Sequence, residues 1–82
     1  MTSPSDTEEL LRFLVTSLVD APDAVKITRR EDGTLTVFEV ELEADDIGKV
    51  IGRKGRIIKA IRTVVRAAGG AGGEHVDVEV LG

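Results

Sequence analysis

Residues 45–68 read D-D-I-G-K-V-I-G-R-K-G-R-I-I-K-A-I-R-T-V-V-R-A-A, and the rest of the chain is best understood from this stretch outward. Gly52 and Gly55 stand three apart, with two cations, Arg53 and Lys54, between them. Glycine has no Cβ, so a turn bounded by two of them can bring its backbone close to a ligand. The flanking apolar spacing predicts two helices. A short one runs through I-G-K-V-I, opened by Ala44-Asp45-Asp46 with an aspartate as N-cap. A longer one begins at Arg56 and stops at Gly69-Gly70. At ~100° per residue, Ile57, Ile58, Ile61, Val64, Val65 and Ala68 share one stripe ~120° wide, with Lys59, Arg62 and Arg66 opposite. The turn leads into the N-terminus of the longer helix, where N–H groups and the helix dipole favour an anion. Glycine-closed backbone, paired cations and a helix N-terminus together describe a phosphate clamp. Ile47, Val50 and Ile51 lie beside it as an apolar floor, and Gly48 reads as a packing glycine.

Other phosphate-binding loops fit poorly. A P-loop needs G-x-x-x-x-G-K-[ST], but five positions after Gly48 stands Arg53, and no Ser or Thr follows the lysine. The dinucleotide fingerprint opens after a strand, whereas a helix is expected before Gly52.

Upstream, Ser5, Asp6 and Thr7 can cap a helix of about residues 7–19, with Glu8 and Glu9 in its first turn and Leu10, Leu11, Leu14 and Leu18 at helical spacing before Pro22. Asp32-Gly33 between two β-rich runs predicts a hairpin. In its second strand Phe38, Val40 and Leu42 point to a core, and Glu39, Glu41 and Glu43 to water. Downstream, Gly69–Gly73 reads as a flexible loop. A last strand follows, with Val76, Val78 and Val80 inward and Asp77 and Glu79 outward. The element order is α–β–β–α–α–β, an α+β fold whose three-stranded sheet is covered on one face by helices. All 82 residues form a single domain, with 1–6 as a flexible N-terminus.

Charge is segregated along this order. From Ile47 to Gly73 there is no acidic residue, and seven of the eleven basic residues fall there: Lys49, Arg53, Lys54, Arg56, Lys59, Arg62 and Arg66. The remainder holds four basic and fifteen acidic residues, so the net charge of −4 conceals a strongly basic segment. Such a footprint gathers anions on one side, while the carboxylates of the sheet turn them away from the other. Glu39, Glu41, Asp77 and Glu79 read as a solvated sheet face rather than a metal or acid–base set. No cysteine and a single histidine, His75, leave neither a zinc site nor a catalytic triad, so no cofactor, metal or catalytic residue is expected. No stretch is long and apolar enough for a membrane span, and the acidic start does not resemble a targeting signal, so a cytoplasmic protein is expected. With no Trp or Tyr, base contacts must be aliphatic and hydrogen-bonded rather than stacked.

Val50-Ile51-Gly52-Arg53-Lys54-Gly55 and its flanks resemble the core of a KH domain, whose G-x-x-G loop clamps about four single-stranded nucleotides. With an extra helix and strand before that core, the order is similar to the type II arrangement. The chain resembles the small bacterial KH-domain proteins of the KhpA (YlqC) family, residues 45–68 carrying the specific likeness. The glycine-rich stretch 69–73 departs from that family's pattern. The resemblance implies a non-catalytic RNA-binding protein, dimeric, able to pair with a larger KH protein of the KhpB (EloR, Jag) type, and linked to post-transcriptional regulation and cell elongation or division. On it, Gly52, Arg53, Lys54 and Gly55 form the clamp, Ile47, Val50 and Ile51 the groove floor, and Lys49, Arg56 and Lys59 its basic surroundings. The alternative is a protein–protein interaction module with RNA binding secondary. Ala60, Thr63, Val64 and Ala67 form a charge-free strip on the long helix, where two copies can meet.

Overall fold

The central strand sets the layers. In β2 (Leu35–Glu41), Thr36, Phe38 and Val40 alternate onto one face and all three are buried. β2 pairs antiparallel with β1 (Lys26–Asp32) and parallel with β3 (His75–Leu81), giving the order β1-β2-β3. A parallel pair needs a crossover, supplied here by α2 (Ile47–Ile51) and α3 (Arg56–Ala71). The remaining helix, α1 (Pro4–Thr16), packs beside α3. The computed structural model describes residues 4–82, with side chains from Asp6 onward. One core joins Leu11 and Val15 of α1, Val50 of α2, Ile58, Ile61 and Val65 of α3, and Phe38, Val40, Val76 and Val78 of the sheet. The expected α+β order and single helical layer are therefore the architecture observed.

Local departures have local reasons. α1 covers Pro4–Thr16 rather than residues 7–19. Asp6 and Thr7 thus stand inside the helix rather than before it, Leu18 lies beyond the helix, and residues 4–6 belong to it; residues 1–3 are outside the described residues. The hairpin loop is Gly33-Thr34, one residue later than the Asp-Gly reading, because Asp32 still pairs with Leu35. On the sheet's other face Arg30 donates to Glu39 (3.1 Å) and reaches Glu79 (3.4 Å), so a cation bridges two carboxylates of the face expected to be solvated and negative. Val37 points to this same outer face yet is buried between its cross-strand neighbours Arg30 and Asp77.

The largest departure is at the end of α3. Gly69-Gly70 does not stop the helix, which continues to Ala71. A Cβ on Gly69 would stand 2.6 Å from Val76 Cγ2, so glycine lets α3 lie directly on β3. The closing turn is tied by Glu74 N–H to Gly69 O (2.8 Å) and Gly73 N–H to Gly70 O (3.0 Å). The segment read as a loose loop is a helix end and a bonded turn.

Candidate nucleic-acid interface

The joint between α2 and α3 is built by backbone angles that few residues adopt. Gly52 N–H donates to Gly48 O at 2.9 Å, ending α2, and the chain leaves at φ 76°. A Cβ there would meet Ile57 Cγ1 at 2.6 Å, so Gly52 is required by the chain's own packing as well as by any ligand. Arg53–Gly55 form a single 3-10 turn closed by Gly55 N–H to Gly52 O (3.1 Å). Lys54 (φ 58°) and Gly55 (φ 71°) are both left-handed, and Lys54 is the one non-glycine residue with positive φ among the described residues. That conformation costs an L-residue about 1–2 kcal/mol. The strain falls on a solvent-exposed cation at the apex of the turn.

The seven cations of the basic segment divide into two groups. Arg53, Lys54, Arg56 and Lys59 are exposed, with no ion pair among the described residues, and they cluster along the turn and the first turn of α3. The other three are engaged. Arg62 Nε donates to Val78 O (3.0 Å) on the free edge of β3, and Arg66 Nη2 donates to both Asp77 oxygens at 2.9 Å. Burial alone would raise the Asp77 carboxyl. The Arg66 guanidinium and the Val78 N–H outweigh it and hold the group below the usual carboxylate range. Lys49 Nζ pairs with the carboxylates of Asp20 and Asp46, which raise its pKa.

The apolar residues beside the turn also divide. Ile47 and Ile51 are half-buried on one side of α2, Ile47 lying so close to Gly82 that a Cβ there would be 2.8 Å from its Cδ1. Val50 is fully enclosed in the core and offers no surface to a ligand, which corrects its place in the groove floor. Lys49 projects roughly 180° from the Ile47–Ile51 side at 100° per residue, and so does not line the groove with them. Gly48 is exposed with nothing within 4 Å of a would-be Cβ, so it is not a packing glycine. Of the expected residues, Gly52, Arg53, Lys54, Gly55, Ile47, Ile51, Arg56 and Lys59 keep exposed or half-buried surface at or near the turn, whereas Val50 is enclosed and Lys49 is paired with Asp20 and Asp46.

An aspartate is expected as the N-cap of α2; Asp46 occupies that position without capping. It is 2% exposed, and its carboxylate turns away to accept the backbone N–H groups of Asp20 (3.1 Å) and Ala21 (3.0 Å) and the Lys49 ammonium (3.1 Å). The Asp20 N–H first, then those of Ala21 and Lys49, hold its carboxyl below the usual range against the effect of burial. The sequence could not show this by itself: Asp46 precedes Val50 by four residues and so shares its side of α2, but only the structure shows that this side faces inward.

On the side of α3 that also carries Arg56, Ala60, Thr63, Val64 and Ala67 are all exposed, Val64 by 46%. An apolar depression of about 270 Å³ runs between α1 and α3, lined by Leu14, Arg56, Ile57, Ala60, Ile61 and Val64. No helix is long and apolar enough to cross a membrane, and no group of three or more His, Cys, Asp or Glu could hold a metal, among the described residues.

Residues 8–80 match the family model described as KhpA/KhpB, KH domain. The chain is 42% identical over 73 residues to the RNA-binding protein KhpA of Borreliella burgdorferi, covering 89% of each chain. It is 51% identical over 65 residues to the RNA-binding protein KhpA of Streptomyces coelicolor, covering 79% of this chain and 82% of that one. Among solved structures, Era of Aquifex aeolicus superposes with a TM-score of 0.60 at 20% identity. Era in complex with MgGDPNP and nucleotides 1506–1542 of 16S ribosomal RNA superposes at 0.55 and 19%. These cover 90% of this chain but 29% and 28% of Era's, a likeness of fold.

Proposed function

The chain belongs to the KhpA/KhpB family of KH domains, and from that premise we propose that it binds single-stranded RNA through the Gly52–Gly55 turn, without catalysis. The observation that carries this is the separation of its cations. Three of seven are bound internally, while the four around the left-handed turn face solvent with no carboxylate of their own. Arg53 and Lys54 neutralise phosphates, the glycine backbone allows close approach, Ile47 and Ile51 contact bases, and Arg56 and Lys59 extend the basic track. On this reading it works in the cytoplasm as a post-transcriptional regulator or RNA chaperone. The test is fluorescence anisotropy with a labelled single-stranded RNA, with and without Arg53→Asp plus Lys54→Asp. Loss of binding with an unchanged circular dichroism spectrum supports the clamp; unchanged affinity in the folded variant overturns it.

A second reading, self-association, is favoured by the exposed strip Ala60, Thr63, Val64 and Ala67 and the apolar depression beside it. Small side chains there let a second α3 approach closely, and the same strip suits pairing with the KH domain of a larger relative of the KhpB type. A dimer would present two clamps and gain avidity for longer RNA.

A further inference from the structure

Asp46 is the one buried carboxylate among the described residues, and RNA binding as set out above gives it no part. Its two oxygens receive three donors. Asp20 N–H and Lys49 Nζ reach Oδ1, and Ala21 N–H reaches Oδ2. Two of these donors are successive backbone groups in the link between α1 and β1. Asp46 itself immediately precedes α2. One side chain therefore joins the start of α2 to a segment twenty-five residues earlier, and Lys49 reinforces the joint by also pairing with the Asp20 carboxylate.

α2 needs such a joint. Five residues are too few to hold a helix without tertiary support. Gly52, pressed on Ile57, closes its far end. Val50 and the partly buried Ile51 hold the C-terminal end of α2 to the core, but its N-terminal end has no such apolar anchor, and how that end sits decides where Ile47 faces and how the Gly52–Gly55 turn is presented. We propose that Asp46 is a positioning residue for RNA binding: by gripping the Asp20 and Ala21 N–H groups it fixes the N-terminal end of α2 and so the geometry of the clamp. Lys49 serves this grip and contributes no phosphate contact. The inference rests on the RNA-binding reading.

Asp46→Asn keeps the size but places an NH₂ against at least one donor. In the full chain, at a temperature where circular dichroism shows it folded, its affinity for a labelled single-stranded RNA should fall tenfold or more. Amide hydrogen exchange should quicken at Asp20, Ala21 and residues 52–56 while Phe38 and Val40 keep wild-type rates. Wild-type affinity in the folded variant overturns the proposal, as does exchange that quickens equally at Phe38 and Val40, which would mark a purely global effect. If Asp46→Asn does not fold, Lys49→Met decides. A few-fold loss of affinity with an unchanged slope of log K against log salt supports the grip. A slope shallower by about 0.7, the value of one phosphate contact to a single strand, overturns it. A wild type that binds no RNA defeats the RNA-binding reading, while the exchange pattern still judges the grip.

Discussion

At Lys54 backbone and charge pull in different directions: φ is 58°, where glycine would be at ease, yet the residue is a cation at the apex of the turn. Lys54→Gly should therefore raise stability by up to ~1 kcal/mol, the relief of left-handed strain less glycine's greater unfolded-state entropy. It should also weaken RNA binding. A melting curve and an anisotropy titration moving in opposite directions would show both effects; a melting temperature that falls would contradict the strain. The ionisation of Asp46 gives a second test. Its native pKa is depressed, so its contribution is complete above the unfolded value of about 4 and is lost as pH falls through the native one. The melting-temperature advantage of wild type over Asp46→Asn should be full at pH 6 and shrink below about pH 4. An advantage independent of pH would contradict the ionised, hydrogen-bonded carboxylate. The turn glycines and their cations were legible in the sequence because their spacing is local. Val50 and Asp46 were not, since periodicity in a five-residue helix does not say which side meets the core.

Among the elements, α3 shows where local rules stop. Its apolar stripe was legible from Ile58, Ile61 and Val65, all buried as expected, but Val64 lies at the stripe's margin, 46% exposed. Its end lies beyond the Gly69-Gly70 stop signal of local rules because the helix uses Gly69 to approach Val76, seven residues later on β3. Gly48 is the converse, a helical glycine that nothing within the chain requires. Alanine at the two positions should therefore act with opposite sign. Gly69→Ala should cost about 1–3 kcal/mol by overpacking β3. Gly48→Ala should gain roughly 0.4–1 kcal/mol. For a domain of this size each kcal/mol moves the melting temperature by about 4–8 °C. Shifts of the same sign would mean that the packing of α2 or α3 differs from that described.

For the molecule as a whole, the acidic balance hides its own partition, and the structure sharpens it further. The sequence located the basic segment but not which of its cations are engaged. Arg62 and Arg66 are bound to β3 and Lys49 to the α1–β1 link by contacts between distant parts of the chain. If the α3 strip joins two copies, light scattering should give a dimer mass for the wild type and a monomer mass for Val64→Asp or Ala60→Arg. A monomeric wild type, or variants that stay dimeric, would contradict that interface. The proposed function is a clamp in which four exposed cations around one left-handed turn grip the backbone of single-stranded RNA. Its most direct test is the salt dependence of RNA binding, wild type against Arg53→Asp plus Lys54→Asp, by anisotropy. With three or four phosphates contacted per domain, the wild-type slope of log K against log salt should be about −2 to −3, and the folded variant should show no measurable binding at moderate salt. A slope near zero, or a folded double variant that binds with wild-type affinity and slope, would contradict the account.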